Sequence, residues 1–277
     1  MNFYCPTCGP KAPKKFFTKR SGFNLLQCNR CNLVFIEAIE MKVDQLFFED
    51  SSDSNNKNKD KIEYWSFPNY FEKYEEMFNY FHEDRWNKIV KYKSNIRSLL
   101  DVGCGYGFFL DYLKGKVDII NGIELDKSVA NYAKVVKKLK VDNIPIEYYS
   151  CVQKFDCIVM CDVLEHVINP FKTLLKCRNL LKSKGIIYIQ VPNLVGFKLP
   201  LFHSWGLPHH IWQFNYKSLK KMLEMSGFRV LYRDTGVLGV IGSYEKGGIK
   251  LFMDSIQWKV ANALKIGNRL QIIALKN

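Results

Sequence analysis

The chain has 277 residues, 47% of them hydrophobic, and carries a formal net charge of +14 at pH 7. That length suits one large domain plus a small one, and that hydrophobic content excludes wholesale disorder. The positive charge admits nucleic acid, phosphorylated sugars or anionic surfaces as partners, but the lysines are scattered and suit a solvated surface equally well.

Met1-Asn2-Phe3-Tyr4-Cys5-Pro6 runs straight into a cysteine motif with no apolar leader, and no apolar run reaches the length of a membrane span. The expected compartment is the cytoplasm, where nine cysteines argue for thiols and metal ligands rather than disulfides. Cys5-Pro6-Thr7-Cys8 and Cys28-Asn29-Arg30-Cys31 form two C-x2-C knuckles with nineteen residues between them. Four thiolates at this spacing suit tetrahedral Zn²⁺, and four protein ligands leave no open coordination position, so the zinc expected on Cys5, Cys8, Cys28 and Cys31 is structural. A segment this short buries little core and draws its folding energy from the metal. Residues 1–40 therefore read as a zinc ribbon. Residues 41–62 read as a linker, because Asp50–Lys61 holds no apolar side chain. Residues 63–277 form the main domain.

Residues 63–96 place Tyr70, Phe71, Tyr74, Met77, Phe78, Phe81, Trp86, Ile89 and Val90 at helical spacing. The stretch Ser98–Leu110 follows: a short apolar strand, then Asp101-Val102-Gly103-Cys104-Gly105-Tyr106-Gly107, then a helix start. Glycines at alternate positions open backbone angles that other residues avoid and bring main-chain N–H groups close to a ligand at a helix N-terminus. This is the layout of a nucleotide-type cofactor site in a doubly wound α/β fold. The G-x-G-x-G spacing departs from the G-x-G-x-x-G of dinucleotide sites, since position 108 is Phe, and no Lys-Ser/Thr follows to cradle a phosphate.

Leu100–Gly107 resembles motif I of the class I S-adenosylmethionine-dependent methyltransferases. The resemblance extends over roughly residues 85–275. It implies a seven-stranded, mostly parallel, Rossmann-like sheet closed by an antiparallel strand, with S-adenosylmethionine as cofactor. It implies that Asp101 helps hold the methionine end of the cofactor beside Gly103, Cys104, Gly105 and Gly107. Arg85, sixteen residues before Asp101, stands where some relatives place an Arg on the cofactor carboxylate; the alternative is a surface Arg on an amphipathic helix.

Val117–Glu124 reads as the second strand and ends in an acid twenty-one residues after Gly103, where a carboxylate accepts hydrogen bonds from ribose hydroxyls. Gly122-Ile123-Glu124 resembles the family's ribose acid, with Asp126 a nearby competitor. Ser128–Leu139 reads as a helix and Ile144–Tyr149 as the third strand. The short stretch Ser150–Lys154 leaves the adenine contact unassigned.

Phe155-Asp156-Cys157-Ile158-Val159-Met160-Cys161-Asp162-Val163-Leu164-Glu165-His166 resembles the fourth strand and following turn of quinone-biosynthesis and sugar methyltransferases. By the same resemblance Asp162 is counted among the cofactor-binding residues. His166 is a candidate general base, because an imidazole titrates near neutral pH; a purely structural Glu165-His166 pair is the alternative. Pro170–Leu181 reads as a helix, Ile186–Asn193 as a strand, Asn215–Gly227 as a helix, and Phe228–Tyr232 and Leu270–Leu275 as strands.

The loop 194–216 gathers Phe197, Phe202, His203, Trp205, His209, His210, Trp212 and Phe214. Such a loop suits a polar, ring-shaped acceptor, and His209 and His210 join His166 as candidate bases. No carboxylate accompanies the loop's histidines, which argues against a metal there. Ile249, Phe252, Met253, Ile256, Val260 and Leu264 share one helix face, suited to packing on the domain, dimerisation or membrane-surface docking.

The sequence thus points to methyl transfer from S-adenosylmethionine to a hydroxyl of a small molecule, a sugar or nucleotide-linked glycan. The ribbon resembles those preceding methyltransferase domains in sugar-modifying enzymes. Two alternatives are a zinc-ribbon RNA methyltransferase and a non-catalytic nucleic-acid-binding protein. Against the first, the turn after the fourth strand lacks the Asn/Asp-Pro-Pro-Tyr/Phe pattern of many exocyclic-amine methylases.

Overall fold

The computed structural model describes residues 1–39, 68–195, 205–236, 256, 259–261 and 263–277. The Asp50–Lys61 linker, Phe197, Phe202, His203, and Ile249, Phe252 and Met253 of the expected amphipathic helix lie outside the described residues.

The N-terminal segment is a small antiparallel sheet. Strands β1 (Lys14–Arg20) and β2 (Phe23–Cys28) form a hairpin, and β3 (Val34–Ile36) pairs with β2. Ser21 and Gly22 both have positive φ, 46° and 83°, as a two-residue hairpin turn of matching twist requires. The second knuckle leads into a fully buried run, Leu33 through Ile36. A fourth strand comes from far along the chain: β9 (Trp212–Gln213) pairs antiparallel with β3, Phe35 opposite Trp212. The sheet order is β1-β2-β3-β9.

Helices α1 (Asn69–Lys73) and α2 (Glu75–Tyr92) precede the main sheet. That sheet has seven strands in the order β10-β11-β8-β7-β4-β5-β6. Its members are β4 (Ser98–Val102), β5 (Ile119–Ile123), β6 (Lys140–Asp142), β7 (Phe155–Cys161), β8 (Leu181–Pro192), β10 (Phe228–Gly236) and β11 (Arg269–Lys276). β4, β5 and β6 pair in parallel, while β11 runs antiparallel to β8 and to β10. All five residues of β4 and the first six of β7 are buried, as apolar runs do in a sheet covered on both faces. The helices between strands are α3 (Phe108–Tyr112), α4 (Lys127–Val135), α5 (Pro170–Leu180) and α6 (Tyr216–Met225).

Caps fix where these helices begin. Asn169 caps α5 with Pro170 in its first turn, and Asn215 and Ser218 form a reciprocal capping box on α6. The expected seven-stranded doubly wound sheet is thus present. The third strand is displaced: β6 occupies Lys140–Asp142, and Ile144–Tyr149 is turn rather than strand. Pro145 lacks an N–H for a ladder, and the Asn143 side chain turns back to donate to the Glu124 and Leu125 carbonyls at 2.8 and 2.7 Å. The chain forms two compact units, Met1–Met41 with Met160–Asn277, and Lys42–Val159. Among the described residues no helix is long and apolar enough to cross a membrane.

Candidate active site

Within Lys42–Val159 the glycine turn follows β4. Gly103, Gly105 and Gly107 all have positive φ, at 73°, 55° and 80°. Gly107 must be glycine on two counts, because an added Cβ would also strike the Leu139 and Ala133 side chains. Gly105 is different: nothing lies within 4 Å of the place its Cβ would occupy. Its N–H donates to Glu124 Oε2 at 2.9 Å, and Asp126 N–H donates to Glu124 Oε1 at 2.9 Å. A carboxylate has about four lone-pair sites, so Glu124 keeps capacity for further donors. Asp126 is committed elsewhere, accepting from the Ser128 and Val129 amides as the cap of α4.

Asp101 is buried at the end of β4, and burial pushes its carboxyl up to about 7; the Arg85 guanidinium opposes that rise and the Glu124 charge adds to it. Arg85 also lies over the Phe109 ring, 4.6 Å from guanidinium carbon to centroid. These side chains fit a ligand with a cationic group for Asp101, hydroxyls for Glu124 and a close main-chain approach at Gly105. Asp156, by contrast, is structural: it accepts from the Ser98 N–H and hydroxyl at 3.1 and 2.9 Å.

Within Met160–Asn277 the turn after β7 carries a second group of titratable side chains. Asp162 sits at φ 54°, ion-paired to Arg269 at 2.9 Å and accepting from Gln190 Nε2 at 2.8 Å. Gln271 Nε2 donates in turn to Gln190 Oε1 at 3.1 Å. Asp162 is therefore held by β8 and β11 through Gln190 and Arg269. Glu165 is fully buried, and neither carboxylate oxygen has a hydrogen-bond partner among the described residues. Burial, reinforced by the Asp162 charge, holds its carboxyl well above the usual carboxylate range.

His166 Nδ1 donates to the His209 carbonyl at 3.1 Å, and its ring stands edge-on to His210 with centroids 4.6 Å apart. The bond to a carbonyl assigns the Nδ1–H tautomer and leaves Nε2 as the ring's acceptor. Desolvation lowers the His166 imidazole to about 4, partly offset by Asp162, so it is neutral at pH 7. The ligand atoms of Glu165, His166 and His210 all lie within 4.8 Å of one another. The sequence expectation that no carboxylate accompanies these histidines is thereby corrected, since the acid arrives from another part of the chain. His210 is also tightly enclosed: a Cβ on Gly206 would overlap its ring.

In the ribbon, Cys5, Cys8, Cys28 and Cys31 bring their sulfurs within 4.8 Å of one another. Cys5 and Cys31 sulfurs are 3.5 Å apart, and the Cys8 amide donates to the Cys5 sulfur at 3.4 Å. These bonds draw the Cys5 thiol down to about 5, while the same contact and burial push the Cys31 thiol up. The four-thiol set fits a closed tetrahedral ion.

Sequence reasoning did not single out Arg269 or Gln190, and placed Trp212 only among the aromatics of the loop. Arg269 is a charged residue at the first position of the closing strand Arg269–Lys276, which is the signal that marks it. The Trp212 indole donates to the Val167 carbonyl at 2.7 Å, directly behind the histidine turn.

Residues 70–233 match the family described as methyltransferase domain. A ubiquinone biosynthesis O-methyltransferase of Glaesserella parasuis is 31% identical over 108 residues, covering 35% of this chain and 46% of that protein. One of Coxiella burnetii (strain Dugway 5J108-111) is 30% identical over 155 residues, covering 49% and 64%. The chain spans about half the length of the curated relatives it matches. Among solved structures, an S-adenosylmethionine-dependent methyltransferase from Archaeoglobus fulgidus aligns with TM-score 0.54 at 22% identity, covering 75% of this chain and all of that one. A sarcosine dimethylglycine methyltransferase from Galdieria sulphuraria aligns with TM-score 0.53 at 14% identity, covering 71% and 85%, and at such identities the shared property is the fold. With the family match extending over more than half of its length, from the start of the first helix into the tenth strand, this chain belongs to the methyltransferase domain family.

Proposed function

We propose that the protein moves a methyl group from S-adenosylmethionine to a hydroxyl of a small-molecule acceptor, a sugar or nucleotide-linked glycan. The observation that carries the cofactor half of this reading is the buried Asp101 carboxyl beside the Gly105–Glu124 cradle. When bound, S-adenosylmethionine supplies a methyl already activated by a positively charged sulfur. Asp101 would accept from its ammonium, Arg85 would face its carboxylate, and Glu124 would accept from its ribose hydroxyls. The backbone of Gly103, Cys104, Gly105 and Gly107 would line its path.

The chain's own task is then alignment and proton removal. His166, neutral at pH 7 and oriented through Nδ1 by the His209 carbonyl, would accept the hydroxyl proton at Nε2. His210, whose ring stands edge-on to His166, would pass that proton on towards solvent. Cys5, Cys8, Cys28 and Cys31 would hold one structural zinc ion. The names of the O-methyltransferase relatives support transfer to oxygen.

A second reading differs only in the acceptor. The relatives are named for ubiquinone biosynthesis, and an imidazole lowered to about 4 is better matched to an acidic phenol than to a sugar alcohol. One assay separates the readings: methyl-labelled S-adenosylmethionine incubated with panels of nucleotide sugars, of dihydroxyphenols and of RNA. Label on the nucleotide sugars supports the first reading, label on the phenols alone replaces it with the second, and label on RNA alone overturns both.

A further inference from the structure

The ribbon and the histidine turn meet at Trp212 and the short strand that carries it. Trp212 lies in β9, which completes the ribbon sheet opposite Phe35. Its ring is buried between the ribbon residues Phe3, edge-on at 5.6 Å, and Phe35, tilted at 5.8 Å. Its other contacts run to the turn after β7: the backbone N–H donates to the Glu165 carbonyl at 3.3 Å, and the indole N–H to the Val167 carbonyl at 2.7 Å. These carbonyls flank His166. The same short strand fixes the loop side, since Gln213 Nε2 donates to the His210 carbonyl at 3.0 Å.

On the ribbon side the chain of bonds reaches the second thiol knuckle. Ile36 N–H donates to the Ile211 carbonyl at 3.1 Å, and Asn215 Nδ2 to the Asn32 carbonyl at 2.9 Å. Asn32 N–H in turn donates to the Cys28 carbonyl at 2.9 Å. A ribbon of this size has too little core to hold β3 in place by itself, so closure of its thiol cluster decides whether β3 is available to β9.

We propose that Trp212 is a positioning residue through which the closed four-thiol cluster holds the Glu165–His166–Val167 turn and His210 in their arrangement. The inference rests on the reading of these histidines as the acceptor side of a methyltransferase. The ribbon then acts as a brace for proton removal. A metal lost from the cluster, or thiols oxidised within it, would disarm the histidines and spare the cofactor half.

The test uses the full chain and needs no acceptor. Three samples are compared: zinc-loaded protein, protein stripped with a chelator, and zinc-loaded Trp212→Phe, which keeps an aromatic ring against Phe3 and Phe35 but loses the indole donor. Two quantities are read, the His166 ring titration by nitrogen-resolved NMR and the S-adenosylmethionine affinity by calorimetry. The expected result is a His166 midpoint raised by about a unit or more in both altered samples, as desolvation is relieved. Cofactor affinity stays within about twofold, and added zinc reverses the change in the stripped sample only. A His166 midpoint unmoved by stripping overturns the proposal, whether or not Trp212→Phe folds. A midpoint that moves only together with loss of cofactor binding also overturns it, because that is general unfolding. Absence of cofactor binding in the zinc-loaded wild type counts against the proposed function instead, while the His166 titration still decides the brace.

Discussion

The Gly105 amide and the Glu124 carboxylate are bonded at 2.9 Å, so the glycine turn after β4 and the acid after β5 form one cradle rather than two adjacent features. The second oxygen of Glu124 is fixed by the Asp126 amide. Glu124→Gln keeps the shape but puts a donor NH₂ where one of these amides must find an acceptor. Hydrogen bonds to a charged group contribute about 1.5–3 kcal/mol, so cofactor affinity should fall by about ten- to a hundredfold. Calorimetric titration checks this, with circular dichroism showing that the variant is folded.

If Asp101 holds the cofactor's ammonium as proposed, its carboxyl makes binding sensitive to pH. Its carboxyl titrates at about 7 in the folded protein, raised chiefly by burial. A raised carboxyl stabilises the fold fully below its ordinary unfolded value, and that contribution is lost as pH rises through about 7. The ligand-free protein should therefore melt at a lower temperature at pH 8 than at pH 6, and Asp101→Asn should flatten that slope. Binding an ammonium group requires the ionised form, so S-adenosylmethionine affinity should fall by up to about tenfold per unit below pH 7. Calorimetry in buffers of different ionisation heat should show proton release on binding at pH 6, and no such release in Asp101→Asn.

The ribbon should carry about one zinc per chain when purified without added metal, the count that four thiolates at tetrahedral spacing hold. Cys28→Ser should abolish the zinc and expose the N-terminal segment to protease, because metal binding and folding of so small a unit are one event. Elemental analysis with limited proteolysis reads both. Zinc-free protein with a protease-resistant N-terminus would assign the four thiols another purpose.

The histidines should behave unequally towards rate and binding. With an acceptor that turns over, His166→Ala should lower kcat by about a hundredfold or more, the usual contribution of a general base, with S-adenosylmethionine affinity unchanged. His210→Ala and His209→Ala should cost less, since His209 touches His166 through its carbonyl rather than its ring. Near wild-type turnover in all three variants would remove the histidine base from the account.

The geometry of the glycine turn and of Glu124 was legible in the sequence because its signals are local. Positive φ at three alternate positions favours glycine, and an acid at a strand end is a one-residue feature. The thiol knuckles were legible for the same reason. The third strand was misplaced by a few residues because Ile144–Tyr149 has the apolar content of a strand, while the stop comes from Asn143 and Pro145. The Glu165–His166–His210 cluster was legible only as a collection of histidines. Glu165 and His210 are far apart in the chain, and the two-residue strand that brings them together is too short to show any periodicity. Asp162 carried a visible motif, but its ion pair with Arg269 depends on a strand more than a hundred residues later.

The central claim is that the turn after β4 is a cofactor site, and calorimetric titration of S-adenosylmethionine into wild type and Gly105→Val tests it most directly. Gly105 has φ 55° and open space where a Cβ would stand, so valine both strains the turn and fills the approach to the Gly105 amide. The account predicts wild-type binding at micromolar order, a usual range for such ligands, and a loss of at least about tenfold in the folded variant. No binding to the wild type, or equal binding to both proteins, would contradict it.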